Sequence, residues 1–110
     1  MTTAQNAKGL HEVQITEDMT MRPTDLLLNC YTKEAPVTIK LPLIANLNGR
    51  WACKLYIYDV DRCASKNNIT IKPNEANAIS SSGEVVINQD GMGAWVFIIG
   101  SDEWKCIALD

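Results

Sequence analysis

Histidine is nearly missing from these 110 residues; His11 is the only one. A Ser-His-Asp or Cys-His arrangement would have to use it, and it falls in a stretch that reads as mobile, so nucleophilic catalysis of that kind is not expected. Long apolar runs are missing as well. None approaches the length of a bilayer span. The opening MTTAQNAKGLHEVQ has no charged start followed by an apolar segment, so no signal peptide is expected and the chain should fold in the cytoplasm. Positive charge is scarce: ten Lys and Arg stand against thirteen Asp and Glu, a net charge of −3. No Lys/Arg cluster exceeds a pair of neighbours. That excludes the electrostatic footprint of nucleic-acid binding and argues against an anionic membrane surface.

Paired metal ligands are also lacking. Cys30, Cys53, Cys63 and Cys106 are widely spaced with no C-x-x-C among them, and structural zinc sites usually show paired ligands. In a reducing cytosol such residues read as small, buried, apolar thiols; a disulfide connectivity cannot be read from them. Asp59 with Asp61, and Asp102 with Glu103, are the nearest approach to catalytic carboxylates. Glycosidases need two carboxyls facing across a cleft, and close neighbours at a strand end read as solvated loop charges. Calcium needs six or more oxygens, and no EF-hand-like loop is present. The GMG at 91–93 lacks the residues of a phosphate loop, and Asn68-Ile69-Thr70 matches a glycosylation acceptor without a secretory signal beside it. No metal and no cofactor is expected.

What is present is β-like text. Apolar residues make up 46% and charged ones 21%, an ordinary globular balance, and the length suits one domain. HEVQITE alternates weakly around Val13 and Ile15. LLLNCY follows Asp25. VTIKLP is a clear half-buried strand ended by Pro42. ANLNGR (45–50) reads as a loop. In WACKLYIYDV, Trp51, Cys53, Leu55 and Ile57 share one face; Ala52, Lys54, Tyr56, Tyr58 and Val60 share the other. NITIKP is a further alternating strand, the polar stretch 74–84 carries the single apolar anchor Ile79, and VVINQ follows. No capping box leads into an apolar helical stripe. Short strands between turn residues predict an all-β fold, a small antiparallel β-sandwich or β-prism-like domain over 13–110. The strand spacing is uneven, so a solenoid of fixed repeats is not expected.

The closing stretch GMGAWVFIIGSDEWKCIAL organises the rest. Two apolar runs flank a Gly-Ser-Asp turn and read as a hairpin. Trp95, Phe97 and Ile99 point one way and Val96 and Ile98 the other. Both faces want burial, and a chain this short has little material for two cores. Another copy of the protein is therefore expected to cover one side. The residues assigned to that oligomer interface are Tyr56, Tyr58, Val96 and Ile98, Tyr being enriched at such contacts. Residues 1–12 read as an N-terminal arm, either plain disorder or an attachment segment carrying Thr2, Thr3, Gln5, Asn6 and Lys8. Trp51, Trp95 and Trp104 can stack on sugar rings, with Trp51 and Trp104 the candidates for glycan contact. The competing reading is core or interface packing.

The order TDLLLNC, VTIKLP, GRWACKLYIYDVDRCASKNNITIKP and AISSSGEVVINQDGMGAWVFIIGSDEWKCIAL resembles the β module of bacteriophage fibre, spike and head-fibre proteins. The resemblance covers Val13 to Leu109. Its most specific part is Asp59, Ala64, Ser65, Asn67, Asn68, Ile69, Thr70 and Ile71, followed by Ser101, Asp102 and Trp104. Two turn positions depart from the pattern: Val60-Asp61-Arg62 stands where a Gly follows the Asp, and Glu103 where a Gly follows Asp102. The resemblance implies a virion structural protein, typically a homotrimer. A single module with a short arm fits a head fibre or capsid-decoration protein, made in the bacterial host cytoplasm and tethered to the virion by its arm. The alternative is a carbohydrate- or receptor-binding module, or a tail-fibre-associated adhesion protein.

Overall fold

A strand that sends every second side chain inward needs a second layer to meet it. Three strands of this chain show the pattern cleanly. VTIK alternates buried and half-buried residues, LYIYD does the same, and ITIK buries both isoleucines. The computed structural model describes residues 12–22, 27–47, 55–79, 83–100 and 102–109. Within them lie ten strands: β1 (Glu12–Ile15), β2 (Met19–Thr20), β3 (Leu27–Cys30), β4 (Val37–Lys40), β5 (Leu55–Asp59), β6 (Ile69–Lys72), β7 (Ala78–Ile79), β8 (Val85–Ile87), β9 (Gly93–Ile98) and β10 (Glu103–Leu109). One 3-10 turn, Ile44–Leu47, buries its two ends; its first amide donates to Asn77 Oδ1 at 3.0 Å.

The strands form two sheets, ordered β1-β3-β5-β9-β10-β7 and β2-β4-β6-β8. The chain changes sheet at every step from β1 to β9 and stays in one sheet only for the β9–β10 hairpin. Consequently β1, β3 and β5 run parallel, as do β2, β4 and β6. The direction then reverses. β8 lies antiparallel to β6, β9 antiparallel to both β5 and β10, and β7 pairs parallel with β10.

The all-β expectation holds, and one finer expectation is corrected. The sandwich is mixed rather than antiparallel, because each early connection crosses to the facing sheet instead of turning back as a hairpin. The first six strands also wind as a short coil, rung on rung. Glu12 pairs with Leu27 and Leu27 with Tyr56, so the second circuit is far longer than the first. That inequality hides the winding from any search for a fixed period.

The inward faces of both sheets meet in one apolar cluster. Leu28, Ile57, Val96 and Trp104 come from the large sheet, Ile39, Ile69, Ile71 and Ile87 from the small one. Each fully buried side chain of this size is worth about 1.5–3 kcal/mol over leaving it in water. Trp104 lies beside Ile98 on β9 and Ile79 on β7. The lone apolar residue of the 74–84 stretch therefore does anchor its segment, against the largest side chain of the core.

Candidate functional site: an aromatic outer face and a carboxylate clasp

The most specific motif of the sequence turns out to tie loops together. Asp59 ends β5 fully buried. Its Oδ2 accepts the amides of Ala64 and Gly91, both at 3.0 Å, and its Oδ1 accepts that of Cys63 at 3.3 Å. A buried carboxylate survives only with such partners. Ser65 N donates to Asp90 Oδ1 at 3.0 Å. Asn67 Nδ2 donates to Thr32 O at 2.7 Å and Lys33 O at 3.3 Å, and Lys33 N donates to Asp61 Oδ2 at 3.2 Å. The connections following β3, β5 and β8 are fastened to one another this way. Where the resembled pattern has a glycine turn, Arg62 takes the left-handed conformation, φ 58°, an uncommon one for a residue with a Cβ. Its guanidinium packs over Gly91, φ +76°, and fills the space a Cβ there would need.

The electrostatics agree with a structural role for this node. Backbone and hydroxyl hydrogen bonds from Ser65 hold the Asp90 carboxyl below its usual range, with Arg62 adding a smaller pull. Burial first, then the neighbouring Asp59 charge, pushes the Cys30 thiol up to about 12. Such a thiol stays protonated and is a poor nucleophile. Among the described residues no three His, Cys, Asp or Glu side chains converge.

The outward face of the large sheet is different in kind. The register aligns Leu27, Tyr56, Trp95 and Ile107 in one row across four strands. Tyr58 and Phe97 extend the patch to either side. Tyr56 meets Trp95 at 4.9 Å between ring centroids, tilted by 49°, and stacks on Tyr58 at 5.9 Å. Gly93 makes this possible. A Cβ there would lie 2.5 Å from Tyr56 Oη, so the absence of a side chain lets the phenol lie over β9. Burial, then the neighbouring Tyr58, raises the Tyr56 phenol above its ordinary value. Towards and beyond the edges of the patch, Ile107 is 45% and Ile99 51% exposed. Half-buried aromatics flanked by these two exposed isoleucines make a surface that nothing in the described residues covers completely.

Tyr56 and Tyr58 thus stand on the outward face, as the alternation of β5 implies. Val96 and Ile98 do not. Val96 is fully buried between Leu55 and Cys106, and Ile98 packs half-buried against the same core. Their assignment to an intersubunit contact is corrected: they are the inward face of β9, covered by the small sheet and Trp104. The residues overlooked are Trp95, Phe97, Ile107 and Leu27. The cross-strand partnership of Trp95 with Tyr56 was the missing signal, because partners in register share a face. Trp104, proposed for glycan stacking, is fully buried; its ring lies in the core with no face for a sugar. Trp51 and the arm residues Thr2, Thr3, Gln5, Asn6 and Lys8 lie outside the described residues.

No family model matches the chain, and no curated protein matches it.

Proposed function

We propose that this protein is a non-enzymatic structural component of a bacteriophage virion, a head-fibre or capsid-decoration protein acting as a homotrimer. One observation carries the reading. The row Leu27, Tyr56, Trp95 and Ile107 forms an apolar, aromatic face outside the core, and contacts between protein copies favour Tyr and Trp over charge. Each subunit sets this face against its neighbours around a common axis. The resemblance of the Asp59 motif and of the closing strands to fibre and head-fibre modules supports the setting. The clasp suits it too, since fastened loops keep a repeated surface unit in one shape.

The test is the mass of the native assembly, followed by imaging of labelled protein on particles. The wild-type chain should sediment as a trimer, and Trp95→Ala should lower the mass while leaving a folded subunit. A chain that stays monomeric at high concentration removes the reading. The carbohydrate-binding alternative now depends on Trp95 among the described tryptophans, since Trp104 is enclosed. Glycan binding by the wild type, lost on Trp95→Ala, would favour that alternative.

A further inference from the structure

The clasp holds together two groups that react with each other in a free chain. Asp90 is followed by Gly91. In an unrestrained Asp-Gly pair the glycine amide nitrogen attacks the aspartate Cγ, with no Cβ to obstruct its approach. An N–C bond forms, the C–O bond to the hydroxyl of the protonated carboxyl breaks, and that hydroxyl leaves as water with the amide proton. The product is a five-membered succinimide. Water then reopens it, mostly at the other carbonyl, and the main chain is rerouted through the side-chain carboxyl as isoaspartate. No oxidant or co-reactant is needed, and the net change is an isomerisation.

In this fold both reactants are engaged elsewhere. The nucleophile, Gly91 N, donates to Asp59 Oδ2 at 3.0 Å. The electrophilic carboxyl accepts Ser65 N through Oδ1 at 3.0 Å. The two partners come from β5 and from the connection after it, so neither moves with the turn. Arg62 lies over Gly91 and limits its swing. We propose that Asp90–Gly91 is a latent isoaspartate modification site, and that the fully buried Asp59 protects it by fixing the attacking amide. This role is independent of the virion reading, although a particle that persists without resynthesis would benefit from it.

Folded wild-type protein and an Asp59→Ala variant are incubated at mildly acidic pH, and isoaspartate at position 90 is counted by peptide mapping. The expected result is a rise of at least about tenfold in the variant, since hydrogen bonds to a charged acceptor hold the amide closed. Asp90→Glu in the same background should return the signal to baseline, because glutamate must close a larger ring. If Asp59→Ala does not fold, wild-type protein is compared with a synthetic peptide from Val86 to Trp95. The folded chain should isomerise at least about tenfold more slowly, the amide reacting only from opened states. Equal rates in either comparison overturn the proposal. So does a slower reaction in Asp59→Ala, which would make the carboxylate a base that promotes attack.

Discussion

The two faces of β9 are both apolar and meet different fates. Ala94, Val96 and Ile98 turn toward the small sheet, the first two fully buried. Trp95 and Phe97 turn away and remain half-exposed. The bulkier, more aromatic side is the outer one, against the simple rule that the largest side chains go inside. The neighbours decide it. On the inward side, Leu55 and Ile57 already occupy β5 next to Val96 and Ala94, and Trp104 fills the space beside Ile98. On the outward side, Tyr56 and Tyr58 accept aromatic partners and Gly93 leaves room for a ring. An apolar face is therefore a statement about burial somewhere; the register says against what.

The comparison breaks most sharply at Val96. Val96→Asp places an unpaired charge in the core, a loss of about 3–5 kcal/mol set against a total stability of about 5–15 kcal/mol. The variant should melt far below the wild type, or fail to fold if the wild type is at the low end of that range. A normal melting temperature with reduced assembly mass would instead put Val96 back at an interface. Trp104→Ala should cost a similar ~3–5 kcal/mol by leaving a cavity, read as a lower urea midpoint.

The outer face should respond differently. For Trp95→Ala the isolated subunit loses about 1 kcal/mol, the scale of one aromatic pair, while the assembly loses mass in sedimentation. A destabilisation as large as that of Trp104→Ala would mean the row is core after all. The smallest effect is expected on the outward side of the small sheet, at the exposed pair Lys40 Nζ–Glu75 Oε2, 2.6 Å. The hydrogen bond from Lys40, then a backbone hydrogen bond at Glu75, then the Lys40 charge lower the Glu75 carboxyl from its ordinary value. A lowered acid contributes its small stabilisation above its unfolded value and loses it as the pH falls through the folded one. Lys40→Ala should let the Glu75 titration, followed by NMR, move part of the way back up toward its ordinary value, with the melting temperature unchanged.

Alternation made much of the fold legible. The strands around Val37, Ile57, Ile69 and Val96 follow from a period of two, and Ile79 stands out as the one apolar residue of a polar stretch. Met19–Thr20 and Ala78–Ile79 could not be seen, because two residues cannot display a period. The parallel winding was hidden by circuits of unequal length, and the turn at Arg62 by a side chain standing where glycine is usual. The site was half legible. Tyr56 and Tyr58 follow from the parity of β5, whereas Trp95 requires knowing which strand β5 adjoins. The Asp59 motif could be read as text, yet its three amide partners are scattered from residue 63 to residue 91.

The position of β9 has a consequence for synthesis. It is made after eight of the ten described strands, yet it sits between β5 and β10 in the middle of the large sheet. β7, made earlier, joins that sheet only through β10. The early rungs can stack while the chain is still being translated, but β5 keeps a bare edge until the β9–β10 hairpin arrives. Nascent chains stalled before Gly93 should therefore be stickier than chains that already carry the β9–β10 hairpin, and a chaperone has more reason to hold them.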